Sequence, residues 1–394
     1  MRHLRVPNQE VEAVLGHIRT REWGAVSMRV FSTTDGRARL IPLGSNAPEE
    51  LPEVFSIYPV EMHEGVPEEK TETNWLTLLA KEIDQLTIDS LGDSLPSNHE
   101  FIGDMMIVRL DDNVVPYADA IARAKLGTHP HVRLILNDDG VQGEFRIRQL
   151  RPIGARLGGS VLAGATLEFA PPEILSTRVA VKESGRVIRC DPTRAYFSTK
   201  LQTERLETLA LAKELREELG RPLRIADPFC GVGPAIAPLL AESDLVGDLL
   251  AADLNPDAVG LLFENLSKWE RRAYPSEPNP LSRIYENRLV GVADATLLAE
   301  NQDITGRWDI VIVNLPHRTI EFLPKIIPLL DRSSPSLIRG RVIVEESEIE
   351  SANTTIESIL PPIEPGKPAP KLHIKRDYSA TLRLCSFEAW ISKE

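Results

Sequence analysis

Four short segments hold residue types that can do chemistry, and each follows an apolar run of strand character. The first is Asp227-Pro-Phe-Cys-Gly231-Val-Gly233-Pro, between the strand-like LRIADPF and the helix-like PAIAPLLAE. Glycines at such a turn let the backbone approach a ligand, and a helix start offers free N–H groups. A dinucleotide site would want a third glycine where Ile236 stands. An acidic residue precedes the turn instead, which suits a ligand with a cationic centre and an amino-acid tail. A plain tight turn fits the same residues. The second segment is AADLNP, where Asp253 closes the next strand and can accept bonds from ribose hydroxyls. Asn255 and Pro256 read as the cap and first residue of the following helix. The third is GVADATLL, where Asp294 can bond an adenine amino group or cap a helix. The fourth is Asn314-Leu-Pro-His317, after the apolar WDIVIV. An amide at a strand's carboxyl end, stiffened by proline, can present itself to a substrate. A loop asparagine is the bland alternative.

The elements that must position these residues alternate in type. Over 201–394, strand-like DLLAADL and WDIVIVNLP alternate with helix-like PDAVGLLFENL and RTIEFLPKIIPLL. LHIKRDY and TLRLCSFEAWI read as a terminal strand pair. Such alternation predicts a doubly wound sheet with its ligand crevice at the carboxyl ends of the strands. Residues 268–290, with Pro275, Pro278 and Pro280, read as an insertion without an assigned function. Residues 74–200 open with a helix over NWLTLLAKEIDQL and continue as strands interrupted by the helix YADAIARAKL, an α+β pattern. Residues 1–65 read as a small α+β unit, with a helix capped by Asn8 and strands AVSMRVF and RARLIPL flanking the turn TTDGR. The polar stretch 63–73 reads as a linker.

Composition narrows the classes. A chain of 394 residues predicts two or three domains rather than one simple core. Cys190, Cys230 and Cys385 follow no ligand spacing, so neither a disulfide framework nor a zinc site is expected. No stretch approaches transmembrane length, and MRHLRVPNQEVEAV has no apolar run of signal-peptide length. The expected address is the cytoplasm, with no membrane association. The net charge of −13 argues against broad nucleic-acid binding. Residues 142–205 run the other way, with eleven Lys and Arg against six Asp and Glu. A local basic surface and an ordinary solvated face both fit that balance.

Taken together, the chain resembles the archaeal and eukaryotic tRNA methyltransferases that modify ring nitrogen one of the guanosine at position 37, 3′ to the anticodon. The resemblance spans the whole chain. It is carried by HEFIGDMMIVRL, VQGEFRIR, DPTRAYFSTKLQTER, DPFCGVGP with AADLNP, and VNLPHRTIEFL. It implies an α/β fold: a class I, Rossmann-like methyltransferase domain with a mixed seven-stranded sheet, preceded by two smaller α+β domains. The implied division is 1–65 for tRNA recognition, 74–200 as a middle RNA-binding domain and 201–394 as the catalytic domain. The implied cofactor is S-adenosylmethionine, the implied partner tRNA, with no metal required and a monomer sufficient.

The resemblance also implies roles. Glu204 resembles the general base that takes the guanine ring proton, Arg146 the residue that steadies charge on the guanine oxygen, and Asn314 with Pro316 the loop that positions the base. Gly231 and Gly233 resemble the turn at the methionine end of the cofactor, with Asp253 on its ribose and Asp294 on its adenine. Asp227, Phe229 and Leu254 complete the implied cofactor contacts, joined by Asn314 and Pro316. Tyr196, Arg148, Lys200 and Arg205 are the implied substrate contacts. Such chemistry needs a carboxylate within reach of the ring N–H and a donor for the charge that then builds on oxygen. Taken without the resemblance, Glu204 and Arg205 also read as solvated charges at a helix start, Tyr196 as core packing, and Arg146 and Arg148 as one basic strand face. NLPH lacks the second proline and aromatic that mark methylation of exocyclic amines. Thr199-Lys200 stands where the family usually has Pro-Arg, and RGRVIVEESEIE is more acidic than the family pattern. The rivals are aminocarboxypropyl transfer or dual-specificity methylation on a tricyclic guanosine at the same nucleotide, an rRNA or exocyclic-amine methyltransferase, and a non-catalytic RNA-binding methyltransferase fold.

Overall fold

The computed structural model describes residues 1–67, 73–143, 145 and 147–394. Two compact units result, Met1–Thr77 and Leu78–Glu394. In the first, helix Val11–Thr20 buries Val14 and Ile18 among Leu4, Val6, Ile41 and Phe55. The sheet of this unit has the order Phe31–Ser32, Ala38–Pro42, Arg2–Pro7, Val60–Met62. Two expectations need correction here. Asn8 does not cap the helix, because its side-chain amide donates to Gly36 O at 2.9 Å. The strand expected over AVSMRVF shrinks to Phe31–Ser32, since Ser27 takes a φ of 60° that interrupts extended backbone. Part of the expected 63–73 linker, 68–72, lies outside the described residues.

Another correction falls where the first unit gives way to the second in sequence. The single helix expected over NWLTLLAKEIDQL is two, Trp75–Leu79 and Gln85–Leu91. Asp84 causes the restart: its carboxylate accepts from Thr87 N at 3.0 Å and from the Thr87 hydroxyl at 2.7 Å, an N-cap that outcompetes helix continuation. Five strands follow in sheet order: Glu100–Ile102, Met105–Val108, Leu134–Gln142, Ile147–Leu157 and Ser160–Ala163, with helix Ala118–Thr128 against them. Their core does not stop near residue 200. Ile102, Met105 and Leu134 share one apolar cluster with Phe197, Leu215, Ile225 and Leu249.

The remaining chain builds one sheet. Its strands are β1 (Leu223–Asp227), β2 (Val246–Asp253), β3 (Ser282–Tyr285), β4 (Arg288–Val292), β5 (Ile310–Val313), β6 (Ser336–Glu345), β7 (His373–Asp377) and β8 (Leu382–Ile391). The order is β3-β4-β2-β1-β5-β6-β8-β7. Strands β4, β2, β1, β5 and β6 are parallel, while β3, and β8 against both neighbours, run antiparallel. Seven of these strands meet the expected mixed sheet. The eighth, β3, comes from the 268–290 stretch and pairs with β4. Before the sheet stands α1 (Gln202–Leu219), ended by Gly220 with a left-handed φ of 66°. After β2 comes α2 (Pro256–Glu270), capped by Asn255, whose side chain accepts from Asp257 N. Strand order departs in opposite directions from β1 and β5, so a crevice opens outside their carboxyl ends. Asp227 and Asn314 stand at those two ends.

Close packing of β6 against β8 holds one wall of that crevice. A methyl group at Gly340 would sit 2.2 Å from Phe387 Cε1, and Phe387 is fully buried. Gly340→Ala is therefore expected to lower unfolding free energy by about 1–3 kcal/mol through overpacking, read as a lower midpoint in urea titration.

Candidate active site

β1 delivers Asp227 to a buried position, 1% exposed. Its Oδ1 accepts from Phe229 N at 3.2 Å, while Oδ2 is buried with no partner among the described residues. Burial pushes the Asp227 carboxyl up to about 7; the Phe229 N–H opposes this, the Asp253 charge adds to it, and Arg341 opposes it. Beyond Asp227 the chain turns on Gly231 at φ 54° and Gly233 at φ 88°. A Cβ on Gly233 would come within 2.7 Å of Leu262 Cδ1, whereas one on Gly231 would meet only Tyr196 O, at 3.8 Å. The turn thus packs tightly on α2 at one glycine and leaves open space at the other.

Asp253, at the end of β2, ties the turn to the sheet. Its Oδ2 accepts from Gly231 N at 2.8 Å and its Oδ1 from Asn255 N at 2.9 Å. Burial raises its pKa, and these two backbone donors hold it down. Leu254 next to it is 42% exposed. Phe229 lies 6.0 Å from Phe322, ring to ring, on the β5 side. Asp294 caps the short helix Ala295–Glu300, accepting from Thr296 N and Oγ1, both at 2.8 Å and both through Oδ1. The capping role read from the sequence is present, and Oδ2 is left for another partner.

The reactive end is built from three elements. Glu204 lies in the first turn of α1 and is only 5% exposed. Asn314 follows β5. Between them stands Arg341 of β6, whose Nε donates to Glu204 Oε2 at 2.7 Å and whose Nη1 donates to Asn314 Oδ1 at 2.8 Å. Alternation on β6 puts Arg339 and Arg341 on one face, and an i,i+3 pair on α1 puts Glu204 and Glu207 on one face. Arg339 pairs with Glu207 at 2.6 Å, one step along from the Arg341–Glu204 pair. Burial lowers the Arg341 pKa, and Glu204 opposes that shift. The Asn314 loop is fastened too: Pro316 O accepts from Ile343 N at 2.9 Å.

Arg341 was not among the residues singled out from the sequence. Its signal was an arginine inside the apolar strand SLIRGRVIV, a charge that must find a partner once buried. The acidic run that follows lies mainly past the site: Glu346 pairs with Arg383, and 346–348 form a short turn.

Other expected residues separate. Tyr196 is 51% exposed at the mouth of the turn, and Lys200 is exposed beside it. Arg205 is a correction. It is 3% exposed, bonds both Glu183 oxygens at 2.7 Å and Ser198 O at 2.8 Å, and so holds the 196–200 segment instead of facing a ligand. Arg148 is engaged by Glu100 at 3.0 Å and Asp138 at 2.8 Å. Arg146 lies outside the described residues. The basic excess over 142–205 is also largely taken up internally, with Arg151, Arg178 and Arg194 on carboxylates and Arg156 and Arg186 on backbone carbonyls. No described helix is long and apolar enough to cross a membrane. All three cysteines are buried free thiols.

Comparison with known proteins gives relatives and neighbours of the same fold. Residues 79–154 match the family model described as TYW2 N-terminal domain. The Pyrococcus abyssi tRNA (guanine(37)-N(1))-methyltransferase Trm5b is 27% identical over 60% of this chain and 58% of its own. Its crystal structure superposes with a TM-score of 0.58 at 19% identity, covering 100% of this chain and 99% of that one. A tRNA (guanine(37)-N(1))-methyltransferase of Trichomonas vaginalis is 26% identical over 70% of this chain and 63% of its own. A complex of aTrm5 with tRNALeu gives a TM-score of 0.59 at 17% identity over 99% of both chains. The chain spans about three-fifths of the length of the curated relatives it matches. The fold is that of the class I methyltransferases.

Asp227 gives a test of the electrostatics. Its folded pKa lies above the ordinary carboxylate value, so the folded state binds more protons, and this group's contribution to stability is present at low pH and lost as pH rises from about 4 to about 7. The stability difference between Asp227→Asn and the parent is expected to move in favour of the variant across that window, measured by urea unfolding at a series of pH values.

Proposed function

We propose that this chain, a relative of the tRNA (guanine(37)-N(1))-methyltransferases, is an S-adenosylmethionine-dependent methyltransferase acting on ring nitrogen one of guanosine 37 in tRNA. The observation that carries this reading is Glu204: a buried carboxylate with Oε2 held by Arg341, beside Asn314 and the carboxylate-lined glycine turn. The relatives named above support it, and the complex of aTrm5 with tRNALeu supports tRNA as the partner.

The site fits the cofactor. Asp227 Oδ2 is a buried acceptor without a partner among the described residues, suited to the amine of an amino-acid tail. The open side of Gly231 leaves room for that tail. Asp253 retains lone pairs for ribose hydroxyls, Leu254 and Phe229 offer apolar surface, and Asp294 Oδ2 can accept from an adenine amino group. Pro316 and Asn314 close the side toward the base. When bound, S-adenosylmethionine supplies a methyl group already activated by its sulfonium.

The protein's part is proton removal, charge stabilisation and alignment. A protonated guanine ring nitrogen is a poor nucleophile, and Glu204 is the group that takes its proton. The negative charge that passes to the ring oxygen is met by donors: Asn314, and Arg146 in the role that the resemblance gives it. Exposed Tyr196 offers a face on which a splayed base can stack, and Lys200 a charge for the RNA backbone. Residues 1–65 are assigned to tRNA recognition, 74–200 to RNA binding and 201–394 to catalysis. A cytoplasmic monomer suffices, and the chemistry requires no metal.

The test pairs labelled S-adenosylmethionine with tRNA transcripts carrying guanosine or adenosine at position 37. Methylation of the guanosine transcript alone is expected, with kcat reduced by about 10²–10⁴-fold in Glu204→Gln and cofactor affinity retained. Product analysis shows which part of the cofactor has moved. Cofactor binding without transfer to any transcript would sink the proposal.

A further inference from the structure

We propose that Arg341 sets the base specificity of the site by fixing which end of the Asn314 amide faces the substrate. The inference rests on the methyltransferase reading above and goes beyond it in assigning the choice of base edge to a residue of β6.

A guanidinium has five N–H donors and no acceptor. The amide atom of Asn314 that lies 2.8 Å from Arg341 Nη1 is therefore the oxygen. With Oδ1 taken, the NH2 end is turned away from Arg341, and it has no partner among the described residues. The same guanidinium takes Glu204 Oε2 through Nε, and Oε1 likewise has no partner among the described residues. Arg341 is 6% exposed on a strand paired over ten residues with β8, so it has little freedom to release either group.

What remains open is one acceptor, Glu204 Oε1, and one donor, Asn314 Nδ2. Their complement is an N–H next to a C=O, the lactam edge that guanine presents at N1 and O6. The Watson–Crick edge of adenine is the inverse, a ring acceptor beside an amino donor, and meets an unmatched donor or acceptor at each atom. Without Arg341 the amide can turn half a revolution and offer its oxygen to an exocyclic amine. Arg341 is thus a positioning residue, acting through the two groups that touch the base.

Asn314→Asp separates this role from a general loss of structure. The aspartate is isosteric and still accepts from Arg341, but it has no N–H for the guanine oxygen. Its kcat on the guanosine-37 transcript is expected to fall by ~100-fold, with melting temperature and S-adenosylmethionine affinity near those of the parent. Arg341→Met is expected to lose a similar factor on guanosine and to narrow the guanosine-to-adenosine ratio of kcat/KM. Arg341→Lys, with one ammonium for two acceptors, is expected to fall between. Parent-like turnover by Asn314→Asp would overturn the proposal, and so would an Arg341→Met protein whose base preference is unchanged. Both outcomes leave the function itself standing, whereas a parent protein that methylates no transcript removes the function and the inference together.

Discussion

Two ion pairs between one helix and one strand hold the reactive end of this molecule in place. Arg339 and Arg341 of β6 meet Glu207 and Glu204 of α1, and Arg339 also meets Glu388 of β8. The desolvation of so many charges is costly, and buried pairs of this kind are weak evidence of net stability. Their value is geometric. A helix docked only by apolar contacts can rotate or slide by a fraction of a turn, while a helix docked by two guanidinium–carboxylate pairs has one register. The Arg341–Glu204 pair is buried on both sides, whereas Glu207 is partly exposed and also meets Lys375.

The cofactor side of the crevice follows the opposite rule. Asp227 and Asp253 crowd negative charge into a buried space that Arg341 only partly offsets, and burial raises both pKa values. Such a pair is poorly satisfied by the protein alone. An ammonium group and a set of hydroxyl donors would satisfy it. The backbone N–H of Gly231 links the two, since the turn that faces one carboxylate is tied to the other.

Much of this was legible before the structure. The βαβ alternation predicted the sheet, because its apolar strands and amphipathic helices have distinct periods, and Asp227, Asp253, Asp294 and Asn314 all fall at strand ends. What stayed hidden was pairing over long sequence separation. Arg205 sits beside Glu204 in the chain and looks like its companion in function, yet the helix sends it to Glu183 and sends Glu204 to Arg341. Local pattern cannot choose among a dozen carboxylates for each arginine. The basic stretch 142–205 left two readings open for the same reason, since its arginines find carboxylates and backbone carbonyls that local pattern does not point to. The split at Asp84 shows a smaller failure, where one capping side chain overrode an apolar periodicity.

The pairing of β6 with β8 has a bearing on which way the two arginines face. Strand side chains alternate between faces, so a shift of β6 by one residue would turn both arginines to the opposite side of the sheet. The register that prevents this runs from Ser336↔Ile391 to Glu345↔Leu382. β8 lies well beyond β6 in the chain, from Leu382 to Ile391, so the face presented by Arg339 and Arg341 depends on residues far from them in sequence. β5 holds the other edge of β6, with Ile310 opposite Leu337 and Val313 opposite Gly340, so the two arginines are kept on their face from both sides.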